Sequence, residues 1–377
     1  MKTTVCFTAK NIYYLKGGGH FWVPLNWVLG LRARGCDVIW LEPIAPNTPV
    51  EEVKTLTKLL KDRLEPYGLR ESVALSSITG EPLDRAAVEG CLDIDAAAEL
   101  ASLLINLRYD LPGDQVRRFR RSALLDIDPG LLQMWIAVGR YSPAQHDLYF
   151  TIGETVGTPA ARFPSFGLEW HYTPPPVYLP TWPRISAPLA AAYTTVAHWW
   201  GEEIDFDGTP INTEKRESFL HYAELPSRVA RPLELALTMG DAEEEERKFW
   251  GGYGWRVQDS HQVTATPEEY RAYIQQSRGE FSCAKPSCMQ LQNAWLSDRT
   301  ICYLASGKPA IVQHTGPSRF LPDAEGIFRF RSIDEAAQML SLVESDYARQ
   351  CDAARALAET YFDAEKVVGR VLERAMS

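Results

Sequence analysis

No stretch of about 18 consecutive apolar residues occurs in this chain, so no transmembrane helix is expected. The first residues, MKTTVCFTAK, contain no apolar core of the kind found in secretory signals, and a cytoplasmic protein is expected on that ground. Cysteine is scarce and odd in number. The seven are scattered, which fits a reducing compartment and argues against a disulfide framework. Cys283 and Cys288 lie close together, but no second pair or histidine stands at zinc-ligand spacing, so no metal site is expected there. Positive charge is in deficit as well. A formal net charge of -10, without a basic stripe, argues against a nucleic-acid scaffold, though it is compatible with a local basic pocket for a phosphorylated small molecule. Repeats and low-complexity tracts are missing too. What is present is 377 residues, 45% of them hydrophobic, enough for two packed cores.

The periodicity reads as alternating strands and helices. Thr4 to Thr8 is β-rich, Gly17-Gly18-Gly19 follows as a loop, and His20 to Arg34 has a helical apolar face of Phe21, Leu25, Val28, Leu29 and Leu31. Gly35 stops that helix, and Asp37 to Glu42 reads as the next strand. Strand, loop, helix, strand is one βαβ unit, the building block of parallel sheets. Leu103–Leu107, Ala123–Ile127 and Leu148–Ile152 are further strand candidates, with a helix over Val50–Leu64. Residues 174–188 hold Pro174, Pro175, Pro176, Pro180, Pro183 and Pro188, which forbid helix and central strand and predict an extended connection. A second alternation follows, with strands near residues 194–197, 233–237, 255–257, 280–283, 309–313 and 326–330. Its helices are expected over 215–222, 242–249, 267–276, 296–306 and 333–343. Two such sheets imply a cleft between them, a common place for ligands.

Several residues could carry chemistry there. Gly18 and Gly19 permit close backbone approach to a ligand at a helix N-terminus, or simply turn the chain into the helix. His20, opening that helix, is a candidate general base kept neutral by the helix terminus, or else a cap. Asp126 and Asp128, which end one predicted strand, and Glu154, which ends another, are candidates to orient His20, or turn carboxylates. Ser297, Asp298 and Arg299 open a helix whose free N–H groups suit a diphosphate, with Ser297 or Asp298 alternatively an N-cap and Arg299 alternatively a surface ion pair. Arg278 and Lys285 flank a predicted strand and are candidates to offset charge on a leaving diphosphate. Gln313, His314, Thr315 and Gly316 follow a strand and could read sugar hydroxyls. The Asp-x-Asp pairs Asp93/Asp95, Asp126/Asp128 and Asp205/Asp207 are too short a pattern to specify a cation site.

The run GHFWVPLNWVLGLRARGCDV resembles the opening of GT-B glycosyltransferases, where a Gly-His pair enters the first helix and "RG-x-x-V" leads into the second strand. SRGEFSCAK (277–285) and WLSDRTICYLASGKPAIVQHTG (295–316) are similar to the nucleotide-binding half of the family, most of all the bacterial family-1-like enzymes. The stretch departs from that pattern at His314, where relatives often carry Asp, and at Cys302, where many retaining enzymes place a Glu. The resemblance implies an α/β chain of GT-B type, two Rossmann-like domains with parallel sheets facing across a cleft. The expected divisions are residues 1–175 for the acceptor, 176–192 as a Pro-rich linker, 193–355 for the nucleotide sugar, and 356–377 as a helix packing back on the first domain. It implies transfer of a sugar from a UDP-, TDP- or GDP-sugar to an unidentified acceptor, without metal or other cofactor. Two other activities remain open: a nucleotide-sugar epimerase, and a catalytically silent subunit of the same fold.

Overall fold

The computed structural model describes residues 2–322 and 325–377. In the N-terminal half, eight strands build one sheet: β1 (Thr4–Thr8), β2 (Asp37–Ile44), β3 (Val73–Ser77), β4 (Leu92–Asp93), β5 (Leu103–Asn106), β6 (Ser122–Asp126), β7 (Leu148–Thr151) and β8 (Trp170–Tyr172). Their order is β4-β3-β2-β1-β5-β6-β7-β8, parallel throughout. Residues of β1, β2 and β3 are buried on both faces, as a sheet covered by helices on each side requires. The strand order reverses at β1, so the switch point opens at the carboxyl end of that strand. Sequence patterning misses β3, β4 and β8. The first is buried without alternation, and the other two span only two and three residues.

The second sheet contains β9 (Tyr193–His198), β12 (Leu233–Thr238), β13 (Arg256–Asp259), β14 (Gly279–Ser282), β15 (Ala310–Gln313) and β16 (Ile327–Phe330). Its order is β13-β12-β9-β14-β15-β16, again all parallel. Between β9 and β12 stands an unforeseen antiparallel hairpin, β10 (Glu203–Phe206) and β11 (Thr209–Asn212). Asp205, in β10, braces the hairpin turn by accepting from the Gly208 amide at 2.8 Å, while Asp207 takes φ 49°. Asp93 caps the helix that follows it by accepting from the Ala96 amide. Two of the Asp-x-Asp pairs therefore do local backbone work.

Four helices frame the site: α1 (Gly18–Ala33), α2 (Pro267–Gln276), α3 (Asp298–Ala305) and α4 (Ala364–Met376). α1 starts two residues earlier than its apolar pattern indicates. It is wedged between the first sheet and α4, whose Val367, Val368, Val371 and Ala375 are buried. At Gly30 the two helices touch: an added Cβ would lie 2.9 Å from the Ala364 Cβ.

The Pro-rich connection is not a free spacer. The Val177 amide donates to the Phe362 carbonyl at 2.7 Å, and the Ala364 amide donates back to the Val177 carbonyl at 3.0 Å. Trp182 is fully buried, with its ring centroid 4.8 Å from that of Trp22 and 6.4 Å from that of Tyr270. One apolar cluster consequently runs from Phe7 and Trp40 through Trp22 and Trp182 to Tyr270 and Ile301. The sequence suggests two cores; this cluster joins residues from both sheets' layers. Among the described residues, no helix is long and apolar enough to cross a membrane.

Candidate functional site

The carboxyl ends of β1, β9, β12 and β13, with the N-termini of α1 and α3, surround a cleft cavity of about 540 Å³. Its walls include Gly17–Gly19 and His20 from one side and His198, Thr238, Ser297, Asp298 and Arg299 from the other. A smaller cavity of about 240 Å³ adjoins it toward the first sheet. Lys10, His20 and Val23 line both, so His20 stands on the boundary.

His20 reaches that place because β1 ends at Thr8 and the following loop folds back over the sheet. Glu42 anchors the loop. It is fully buried in β2, and its carboxylate accepts from the Asn11 amide at 2.9 Å, the Ile12 amide at 3.2 Å and the Trp40 indole at 2.7 Å. Burial pushes its pKa up to about 7 against those donors. No sequence motif marks Glu42. The same loop presents the Lys10 carbonyl to His20 Nε2 at 3.2 Å. A carbonyl can only accept, so Nε2 carries the proton and Nδ1 is left as the basic nitrogen. Desolvation between the walls holds the His20 pKa below the usual 6.5, opposed by the Lys10 carbonyl and the nearby Asp128.

Asp126 and Glu154 do not orient this histidine. Asp126 is fully buried at the end of β6, where it accepts from Thr151 Oγ1 at 2.9 Å, Gln133 Nε2 at 3.2 Å and the Asp128 amide at 3.0 Å. Burial raises its pKa to about 7. Glu154 instead clasps the two halves, accepting from Ser318 Oγ at 2.5 Å and from the Arg319 amide at 2.8 Å. Of the Asp126/Asp128 pair it is Asp128 that shares the smaller chamber's wall with His20, together with Asp110. The end of the strand explains the difference, since a continued strand would place both on one face. Asp126 ends the strand and points inward, while Asp128 is already in the loop.

Gly18 and Gly19 bring α1 close to the opposite half. The Gly18 amide donates to the Thr264 carbonyl at 3.1 Å, and a Cβ there would lie 2.1 Å from the Thr266 carbonyl. A Cβ on Gly19 would meet the Tyr270 ring at 2.6 Å. The close approach that these glycines permit is first of all between the two halves of the protein.

In the second half the expected basic residues separate. Arg278 stands at the amino end of β14, away from the cleft. It makes a two-pronged pair with Glu344 (2.8 and 3.0 Å) and lies over the Tyr347 ring at 3.3 Å. It braces the far edge of the sheet. Arg299 does line the cleft, yet its guanidinium is committed to buried Glu280 (2.7 Å), the Val196 carbonyl (2.7 Å) and Ser282 Oγ (2.5 Å). It is neither a surface pair nor an uncompensated cation. Ser297 caps α3, accepting from the Arg299 amide at 3.2 Å. Asp298 faces the cavity, and burial raises its pKa to about 7, with Asp128 adding to the shift.

Lys285, after β14, lies near two basic residues that the sequence does not single out, His198 and Lys215. Lys215 opens the helix after the β10–β11 hairpin and is buried. Desolvation, then Arg299 and Lys285, bring its pKa down to about 7. His198 ends β9 on the cleft wall, its pKa lowered by desolvation and by Lys285 and Lys215. These groups come from three separate segments, a strand end, a helix start and a loop, so only the parallel sheet gathers them.

Gln313, His314, Thr315 and Gly316 brace the loop ahead of α3 rather than line the cavity. Gln313 Oε1 accepts from the Ala284 amide at 3.1 Å, and Thr315 Oγ1 donates to the Trp295 carbonyl at 2.7 Å. The Gly316 amide donates to His314 Nδ1 at 3.3 Å, and a Cβ on Gly316 would meet the Gln292 carbonyl at 2.8 Å. Among the described residues, no three His, Cys, Asp or Glu side chains group closely enough to hold a metal ion.

No family model matches the chain, and no curated protein is similar to it in sequence. Solved structures are similar over its whole length. One is an α-glucosyltransferase in complex with UDP-glucose and DNA containing an abasic site, with a TM-score of 0.56 at 11% identity over all of both chains. HepE of Anabaena, in complex with UDP and glucose, gives 0.61 at 10% identity over 99% of each chain. AviGT4, a glycosyltransferase involved in avilamycin A biosynthesis, gives 0.54 at 12% identity over 99% of this chain and 97% of that one. The chain shares their fold, the GT-B arrangement of two parallel α/β sheets about a cleft.

Proposed function

We propose that this protein is a glycosyltransferase that moves a sugar from a nucleotide diphosphate, UDP by preference, to an acceptor hydroxyl. One observation carries the reading: His20, with Nδ1 unprotonated, stands where two chambers meet, and the larger one is lined by His198 and Arg299, within electrostatic reach of Lys215 and Lys285. The UDP and UDP-glucose complexes of proteins sharing the fold support the choice of donor.

In this reading the nucleotide diphosphate lies at the carboxyl edge of the second sheet. The acceptor hydroxyl attacks the anomeric carbon, the bond from that carbon to the diphosphate breaks, and Nδ1 of His20 takes the hydroxyl proton. Negative charge gathers on the departing diphosphate. Lys215, poised near neutrality, takes up a proton as that charge approaches, and Lys285 and the α3 amides add to the field. Those cations supply the neutralisation that a divalent ion provides elsewhere, so turnover is expected to survive chelation. Direct displacement inverts the anomeric centre.

Purified protein with UDP-sugars tests this. Slow release of UDP, unchanged by EDTA, and an inverted product with a suitable acceptor are expected. Isomerised sugar would point to an epimerase instead, and UDP binding without turnover to a silent subunit.

A further inference from the structure

The smaller chamber bears on the acceptor, given the transferase reading above. Its volume of about 240 Å³ lies below the roughly 300–1,000 Å³ of pockets that enclose drug-sized ligands, which leaves space for one ring. Part of its wall is aromatic. Trp135 and Tyr141 have ring centroids 5.5 Å apart, and Tyr109 lies 6.3 and 6.2 Å from them. The Tyr109 hydroxyl is occupied, accepting from the Ile127 and Asp128 amides at 3.0 and 3.1 Å, so this residue offers a ring and not a polar tip. Trp135 is held from across the cleft, its indole N–H donating to Glu202 at 3.2 Å.

The charges discriminate further. The two cations in the wall, Lys10 and Arg108, both pair with Asp110 at 3.1 Å. Asp128, reached by the Tyr109 hydroxyl only at 3.5 Å, keeps acceptor capacity beside His20. Asp110 offsets one of the two cationic charges and Asp128 the other, so the wall carries no net positive charge to hold an anionic acceptor. A neutral ring bearing hydroxyls meets aromatic faces and a hydrogen-bond acceptor. We propose that the chamber binds a single neutral sugar ring, its face on Trp135 and Tyr141, one hydroxyl on Asp128 and another presented to Nδ1 of His20.

The test follows binding, not turnover. The intact protein, with and without UDP, is titrated with methyl glucosides, galactosides and mannosides, with glucose 6-phosphate, and with a short DNA duplex. Saturation-transfer NMR reads the sugars, a competition titration reads the duplex, and calorimetry reads UDP in parallel. At least one methyl hexoside should bind, with saturation on its ring protons, and neither phosphate sugar nor duplex should displace it. Trp135→Ala should weaken that sugar on the order of tenfold while UDP affinity holds. Asp128→Asn, which spares the aromatic packing, should weaken it by about tenfold and decides the matter if the first variant fails to fold. Hexosides that ignore both variants overturn the proposal. So does preference for the phosphate sugar or the duplex, or a protein that binds UDP and no hexoside; the transferase reading survives those last results. Hexoside binding by a protein blind to UDP would overturn the UDP-dependent transferase reading alone.

Discussion

Replacing Lys215 with methionine should make the protein more stable and less able to bind UDP. Methionine fills a similar volume without the charge. In the folded protein the Lys215 pKa is about 7, against 10.5 for an ordinary lysine. The unfolded chain therefore holds a proton between those values that the folded chain does not, and stability rises with pH across that window. Below about pH 7 the cost is present in full. A gap of that size corresponds to about 5 kcal/mol at most. Scanning calorimetry at pH 6, 7.5 and 9 should show Lys215→Met melting several degrees above the native chain at pH 6, with the gap narrowing at pH 9. UDP titrations at pH 7.5 in buffers of different ionisation enthalpy read the other half. Native protein should take up as much as about 0.8 proton per UDP as the diphosphate recharges the lysine, and the variant should lose that uptake together with at least tenfold in affinity. A variant that melts lower than the native chain at every pH would refute the buried charge, and one that binds UDP as tightly would refute its link to the donor.

His20→Ala should lower kcat by about 10²–10⁴-fold and leave UDP affinity nearly unchanged; the native pH profile should hold its activity down through pH 6.5, because the His20 pKa is depressed and the free base persists below the usual value. Arg299→Ala should act chiefly on folding. It strands buried Glu280, a loss of about 3–5 kcal/mol that a denaturant titration would register, and a stable variant that merely binds UDP weakly would contradict this. Gly18→Ala places a Cβ against the Thr266 carbonyl and should lower the melting temperature and weaken UDP together; unchanged melting would show that the two halves are not in register there.

The sequence by itself determined the alternation of strands and helices, and hence the parallel sheets. Val50–Leu64 and Pro267–Gln276 take the boundaries that their patterns and caps dictate, because local periodicity and capping decide helices of this length. It also marked His20, which a glycine loop and a helix start make visible in one short window. Tertiary structure decided the rest. Arg278 and Lys285 flank the same strand, yet one lies at its amino end on Glu344 and the other at its carboxyl end beside Lys215. Arg299 reads as an anion ligand until Glu280, one strand away, is seen to hold it. Asp126 and Asp128 are near-identical in sequence, and only the end of β6 separates a buried carboxylate from one facing the cleft. Charge pairing and desolvation act through space between residues far apart in the chain, and no local pattern records them.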